Sequence, residues 1–204
     1  MNECSFTYRK EKTMTMPDKR NDIIQGALEL ITEKGFHGAT MAMIAEKSDV
    51  AVGTIYRYFE NKDVLINALY HELEEKILGA LRKEYSAEKP FRERFLLIGT
   101  TLLHYFISFP VHFRYMEQYH NSPYGISLRR DQLLNKADDV DITRQLFTEG
   151  IIQQVLKDFP LAVLFDLAFG PLVALARDHI LGFIVLDDTL ITRTVEACWD
   201  GVKR

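Results

Sequence analysis

The stretch Thr40–Leu65 reads TMAMIAEKSDVAVGTIYRYFENKDVL. It divides into two short helices, a tight turn between them and the start of a third helix. Thr40 is placed to cap the first, because its hydroxyl can accept one of the amides left open at a helix start. Met41, Ile44 and Ala45 follow at helical spacing and form one apolar face. Ser48, Asp49 and Val50 interrupt that pattern. Aspartate tolerates left-handed backbone, so Asp49 can occupy a turn where glycine is the easy choice. From Val52 the chain turns helical again, with Thr54, Arg57 and Tyr58 on its polar side. Asn61 caps the next helix, and Asp63 in its first turn suits the positive end of the helix dipole.

Two short helices joined by about three residues, the second polar on its outer side, form a helix-turn-helix. The second helix of such a pair can enter the DNA major groove with its N-terminal residues against base edges. The run from Ile44 to Leu65 also closely resembles the DNA-binding signature of TetR-type (TetR/AcrR) transcriptional regulators. Ile44-Ala45, Val50, the block Gly53–Phe59 (GTIYRYF) and Lys62–Leu65 (KDVL) all match that signature. Two positions depart from it. Ala51 stands where Ser or Thr usually caps the recognition helix, a loss of about 1 kcal/mol, and Asp49 stands where glycine is usual.

The predicted DNA-binding residues are Lys19, Arg20, Thr40, Val52, Gly53, Thr54, Tyr56, Arg57, Tyr58 and Lys62. Gly53 permits close backbone approach, and Val52 suits a thymine methyl. Thr54 and Arg57 are expected to reach base edges; Arg against guanine is the commonest specific contact. The resemblance implies phosphate contacts for Lys19, Arg20, Tyr56, Tyr58 and Lys62. Such contacts position a protein without reading sequence. Phe59 is expected in the core.

Composition neither adds to this reading nor opposes it. The chain has 204 residues, 47% of them hydrophobic, and a formal charge of -4. That charge does not by itself suggest nucleic acid, so the local placement of basic residues must serve the phosphates. Cys4 and Cys198 lie far apart without metal-ligand spacing and read as free thiols of a reducing compartment. No signal-peptide pattern is visible, and the apolar run Leu161–Val185 is broken by Asp166 and by Arg177-Asp178-His179. The expected location is the cytoplasm, with no membrane association. No HExxH, GxSxG, phosphate-binding glycine loop or PCxxC motif occurs, so the chain reads as no enzyme, with neither cofactor nor metal.

Helical periodicity extends through the remainder and predicts an all-α fold. Residues 1–17 read as a flexible arm whose Arg9, Lys10 and Lys12 could reach phosphates. Residues 18–64 form a three-helix DNA-binding head, and 65–204 an antiparallel helical body for ligand binding and dimerisation. Helices are predicted from Asp18 to Lys34, Asn61 to Lys83, Phe91 to Ser108, Ile142 to Asp158, Pro160 to Phe183 and Asp188 to Lys203, with a loop over Leu133–Asp141. Pro110 opens an aromatic-rich element between them, and Gly170-Pro171 is expected to kink the long apolar helix. Apolar walls with a few polar groups are what a small-molecule pocket needs. The predicted pocket residues are Tyr105, Phe109, Phe113, Met116, Tyr119, His120, Phe147, Phe165 and Phe169. The last two helices are apolar enough to suggest a four-helix interface between two copies, as TetR-type proteins use. Its expected residues are Leu172, Leu175, His179, Ile191, Val195, Cys198, Trp199 and Val202. The resemblance then implies a homodimeric repressor that binds a palindromic operator and is released by a hydrophobic or aromatic small molecule. The alternative is a DNA-binding regulator without an effector, constitutive or controlled by a protein partner.

Overall fold

A computed structural model describes residues 16–133 and 142–204. The predicted arm, apart from its last two residues, lies outside that range, as does the predicted loop apart from Leu133. The chain divides into two units, the break falling inside a helix after Ile66.

In the first unit three helices surround one small core. Helix α1 (Met16–Gly38) presents Ile23, Ile24, Ala27, Leu28, Leu30 and Ile31, all buried. Gly35, at φ 72° and ψ 171°, interrupts its helical geometry. The predicted stop at Gly35 is therefore a break with one further turn beyond it. Helix α2 (Met41–Lys47) buries Ile44 and Ala45, and α3 (Val52–Tyr58) buries Ile55, with Phe59 just beyond it. Gly26 lets α1 approach α2 closely, since a Cβ there would overlap the Ser48 hydroxyl. The turn has the predicted chemistry. Asp49 is left-handed at φ 51°, and the Val50 amide bonds back to the Ala45 carbonyl at 3.0 Å.

Helix α4 (Lys62–Arg82) begins in the first unit, its start capped by Asn61 Oδ1 accepting from the Val64 amide at 2.9 Å. In the second unit it is followed by α5 (Phe91–Ser108), α6 (Pro110–His120), α7 (Pro123–Leu133), α8 (Ile142–Ile152), α9 (Leu161–Ile180) and α10 (Asp188–Val202). The segment from Pro110 is thus two helices, with Pro110 and Pro123 at their first positions, where a missing amide costs nothing. The chain bends by 107° between α5 and α6. Helix α8 stops at Ile152, six residues short of the predicted end. Gln154 takes φ 57°, and the chain then pairs with its own C-terminus through Lys157 N to Val202 O and Arg204 N to Val155 O, both 2.9 Å. Helix α9 carries Pro171 inside one continuous helix.

Helices α5, α9 and α10 pack on one another and form the core of this unit. Gly99 of α5 meets Val195 of α10 so closely that a Cβ would sit 2.5 Å from its Cγ1. A bidentate ion pair locks α5 to α8. Buried Arg94 donates from Nη1 and Nη2 to Glu149 at 2.7 and 2.5 Å. That pairing holds the Glu149 carboxyl below its ordinary pKa. Among the described residues no single helix is long and apolar enough to cross a membrane.

This packing covers most of the predicted dimer surface within the chain itself. Leu172, Ile191, Val195, Cys198, Trp199 and Val202 are all buried within their own chain. Trp199 lies against Phe91 and Phe95 of α5, with ring centroids 5.9 and 5.2 Å away. Leu175 is half-buried, and His179 accepts the Leu186 amide on Nδ1 at 3.0 Å, closing the loop after α9. Periodicity located an apolar face, and most of that face packs inside the chain, Trp199 and Val195 against α5. The uncovered apolar residues lie elsewhere. Val163 and Leu167 on α9 are each 41% exposed, and Leu181, Phe183, Val185 and Leu190 around the α9–α10 connection are exposed as well.

Candidate DNA-reading head and body cavity

The recognition helix α3 is held by one inward side chain, Ile55, and by Phe59 after its end. Everything else on it is available in some degree. Val52, Gly53, Tyr56 and Arg57 are exposed, whereas Thr54 and Tyr58 are half-buried. Tyr56, 51% exposed, faces outward more fully than a partly packed aromatic would. Ala51 stands at the N-cap in extended geometry and makes no side-chain cap bond. By contrast Thr40 caps α2, its Oγ1 accepting from the Met43 amide at 3.2 Å.

The predicted phosphate contacts differ in freedom. The Arg20 guanidinium lies over the Phe59 ring, 5.4 Å from its centroid, and Lys19 is half-buried. Lys62 is tethered, because its ammonium donates to the Phe36 carbonyl just after the Gly35 break. Partial burial pulls the Lys62 pKa down, and the neighbouring Asp63 charge only partly offsets this. The KDVL match in the sequence carried no sign of this second role. Lys62 fastens the end of α1 to the start of α4, and a phosphate contact would use its remaining N–H groups.

In the second unit a cavity of about 760 Å³ lies along one side of α9. Its wall on that helix is Leu161, Ala162, Phe165, Asp166, Phe169, Gly170, Val173, Ala174 and Arg177, with Pro160 at the end. Opposite stand His120 of α6, Arg129 of α7 and Arg144 of α8. Of the nine predicted pocket residues, His120, Phe165 and Phe169 line this space. The other six do not. Phe113, Met116, Tyr119 and Phe147 are core, the Phe147 ring tilted against those of Phe165 and Phe169 at centroid distances of 4.7 and 5.5 Å. Tyr105 is also buried, which pushes its pKa up to about 12. Its hydroxyl lies 2.9 Å from His112 Nδ1. Desolvation lowers the His112 pKa, and the Lys76 charge lowers it further. Phe109 is exposed and stacks on the His112 ring. Sequence reading missed the arginines and the small residues of α9. A single-face signal was present in the spacing of Ala162, Phe165, Phe169 and Val173, but the helix is apolar on several sides and the cavity side was not distinguishable.

His120 connects the cavity to an aromatic stack. It meets Tyr70 edge-on at 5.7 Å, and Tyr70 stacks on Tyr119 at 4.0 Å. Tyr119 in turn donates its hydroxyl proton to Asn67 Oδ1 at 2.7 Å. Desolvation, with the Arg129 charge second, lowers the His120 pKa and favours its neutral form.

Comparison with known proteins agrees with this arrangement. The family model for bacterial regulatory proteins of the tetR family matches residues 23–69, and the model for the tetracyclin repressor-like C-terminal domain matches residues 90–203. An uncharacterized HTH-type transcriptional regulator of Haemophilus influenzae is 23% identical over 92% of this chain and 97% of its own length. The crystal structure of a TetR family regulator from Marinobacter aquaeolei superposes with a TM-score of 0.78 at 23% identity, over 92% of this chain and 96% of that one. The transcriptional regulator FadR from Bacillus subtilis, solved in complex with stearoyl-CoA, superposes with a TM-score of 0.69 at 20% identity, over 89% of this chain and 98% of its own. With both of its units matched, the chain belongs to the TetR family of bacterial regulatory proteins.

Proposed function

We propose that this chain is a ligand-responsive repressor that binds a near-palindromic operator as a homodimer and leaves it when a hydrophobic small molecule occupies the body. The 760 Å³ cavity along α9 carries this reading. It falls within the size range of small-molecule sites and has their character, an apolar wall with few polar groups. The relative solved in complex with stearoyl-CoA supports the class of effector, because a protein of this fold binds a long-chain acyl thioester. Exposed Val52, Tyr56 and Arg57 on α3 supply the DNA-facing surface. The exposed stripe of Val163 and Leu167, continued at Leu181, supplies a face for a second copy. Two recognition helices would then meet successive major grooves. Because binding linkage is reciprocal, an effector that prefers the form with weak DNA affinity must lower that affinity by the same factor that DNA lowers its own.

The test has two stages. Purified protein selects its binding site from fragmented bacterial genomic DNA, and native mass spectrometry looks for a co-purified small molecule. An enriched two-fold symmetric site whose occupancy falls when the co-purified compound is added is the expected result. A selected site with no bound compound, unaffected by extracts of the host, would shift the function to a regulator without an effector. Failure to enrich any site would remove operator binding itself.

A further inference from the structure

The cavity beside α9 is walled mainly by apolar side chains of that helix. A wall of this kind holds a ligand by burial and leaves its orientation to the few polar groups at the border. Three of those groups are paired. Arg129 reaches Asp166 at 3.2 Å, and Arg177 donates from Nε to Glu117 at 2.7 Å. His120 of α6 differs. It lines the cavity and contacts two aromatic rings, Tyr70 at 5.7 Å and Tyr119 at 6.2 Å, both nearly perpendicular to it. Among the described residues, no group hydrogen-bonds either of its ring nitrogens.

The imidazole is nevertheless held in place. Tyr70 and Tyr119 stack on each other at 4.0 Å. The Tyr119 hydroxyl donates to Asn67 Oδ1 at 2.7 Å, which fastens the stack to α4. His120 is accessible, yet desolvation is the larger cause of its lowered pKa, ahead of the Arg129 charge. A group that is both reachable and poorly hydrated sits in a recess. The lowered pKa favours the neutral ring, which offers one N–H donor and one acceptor nitrogen. Such a ring, oriented in advance beside an apolar wall, suits an uncharged oxygen. A carbonyl takes its N–H, and a hydroxyl donates to its bare nitrogen.

We propose that His120 is the specificity-determining residue of the cavity. It hydrogen-bonds an uncharged carbonyl or hydroxyl oxygen of a ligand whose apolar part lies along Phe165 and Phe169. This rests on the reading that the cavity is an effector site, and it names the effector's class, a largely apolar molecule carrying such an oxygen. A molecule without that oxygen covers the same wall but leaves the imidazole unmatched.

Three probes built on one ring system separate the hydrogen bond from burial: naphthalene, 2-naphthol and 2-acetonaphthone. Each is titrated calorimetrically into the full chain, as wild type and as His120→Phe. Phenylalanine keeps a ring against Tyr70 and Tyr119 and removes both nitrogens. The quantity read is the affinity of each oxygenated probe relative to naphthalene, so that differences in probe hydration cancel between the two proteins. For at least one oxygenated probe that ratio should fall about fivefold in His120→Phe, the size of one neutral hydrogen bond. Naphthalene itself should bind both proteins alike. Should His120→Phe fail to fold, nitrogen NMR of the wild type decides. The His120 ring resonances should move with an oxygenated probe and stay in place with naphthalene. Equal ratios in the two proteins would overturn the proposal and leave the cavity reading standing. Ring resonances that respond identically to all three probes would overturn it as well. Binding by none of the three would remove both.

Discussion

Replacing Glu149 by alanine removes both carboxylate contacts of Arg94, at 2.7 and 2.5 Å. The Arg94 side chain is 7% exposed and the Glu149 side chain 33%, so the two halves of the pair are not equivalent. Losing Glu149 leaves a buried guanidinium with one long bond, from Nη1 to the Tyr85 hydroxyl at 3.5 Å. Its Nε already has no partner. Breaking a buried pair from one side costs about 3–5 kcal/mol, and the partial exposure of Glu149 puts this case near about 3. For a chain of this size each kcal/mol moves Tm by about 2–4 °C, so Glu149→Ala should melt about 6–12 °C lower. Arg94→Met leaves a carboxylate that water can reach and fills the guanidinium's space with an apolar chain. It should cost about 1 kcal/mol, about 2–4 °C. Calorimetry at neutral pH and fixed protein concentration measures both. The pH dependence follows from the lowered Glu149 pKa. A depressed carboxyl contributes fully above its ordinary value of 4.5 and loses that contribution as pH falls through the folded value. The gap between wild type and Glu149→Ala should therefore close below pH 4.5. An Arg94→Met melt as low as that of Glu149→Ala, or a gap independent of pH, would refute the reasoning.

Four other outcomes are expected. Arg57→Ala should relax preference at one base pair of the selected site, by about 1–3 kcal/mol in a panel of single-base variants; uniform loss on every sequence would make Arg57 a phosphate contact. Ala51→Ser should supply the missing cap of α3 and raise stability by about 1 kcal/mol, with unchanged or tighter operator binding; a lower Tm would show that the extended geometry at Ala51 cannot place the hydroxyl. Leu167→Glu should dissociate the proposed dimer without unfolding it, because the side chain is 41% exposed; a sedimentation mass still at twice 23.6 kDa would place the interface elsewhere. Lys62→Ala should lower Tm and flatten the salt dependence of DNA binding together, since its ammonium also holds the Phe36 carbonyl. An unchanged salt slope with a lower Tm would leave it a structural role alone.

Local chemistry accounts for most of what could be read without coordinates. Caps at Thr40 and Asn61, the left-handed Asp49 and the bare cap at Ala51 each depend on a few adjacent residues and general backbone sterics. The recognition helix was legible for the same reason, as it is one short helix with one inward residue, Ile55. Errors began where a residue's role depends on a distant segment. Helix α8 ends at Ile152 because the following residues pair with the C-terminus, and periodicity holds no record of that partner. Lys62 matched a motif, yet its Phe36 contact spans 26 positions.

The two α-helical faces of the body show the boundary most clearly. An apolar stripe at a spacing of three and four residues states that a side of a helix avoids water. It does not state what covers it. Sequence alone determined that α9 and α10 are apolar helices in an all-α chain with a DNA-reading head. Tertiary structure decided that Trp199 and Val195 face α5, that Val163 and Leu167 remain uncovered, and that Phe165 and Phe169 border a cavity with arginines opposite. Assigning each face to core, cavity or surface is a matter of which helices pack together, and that is set by long-range fit such as Gly99 against Val195.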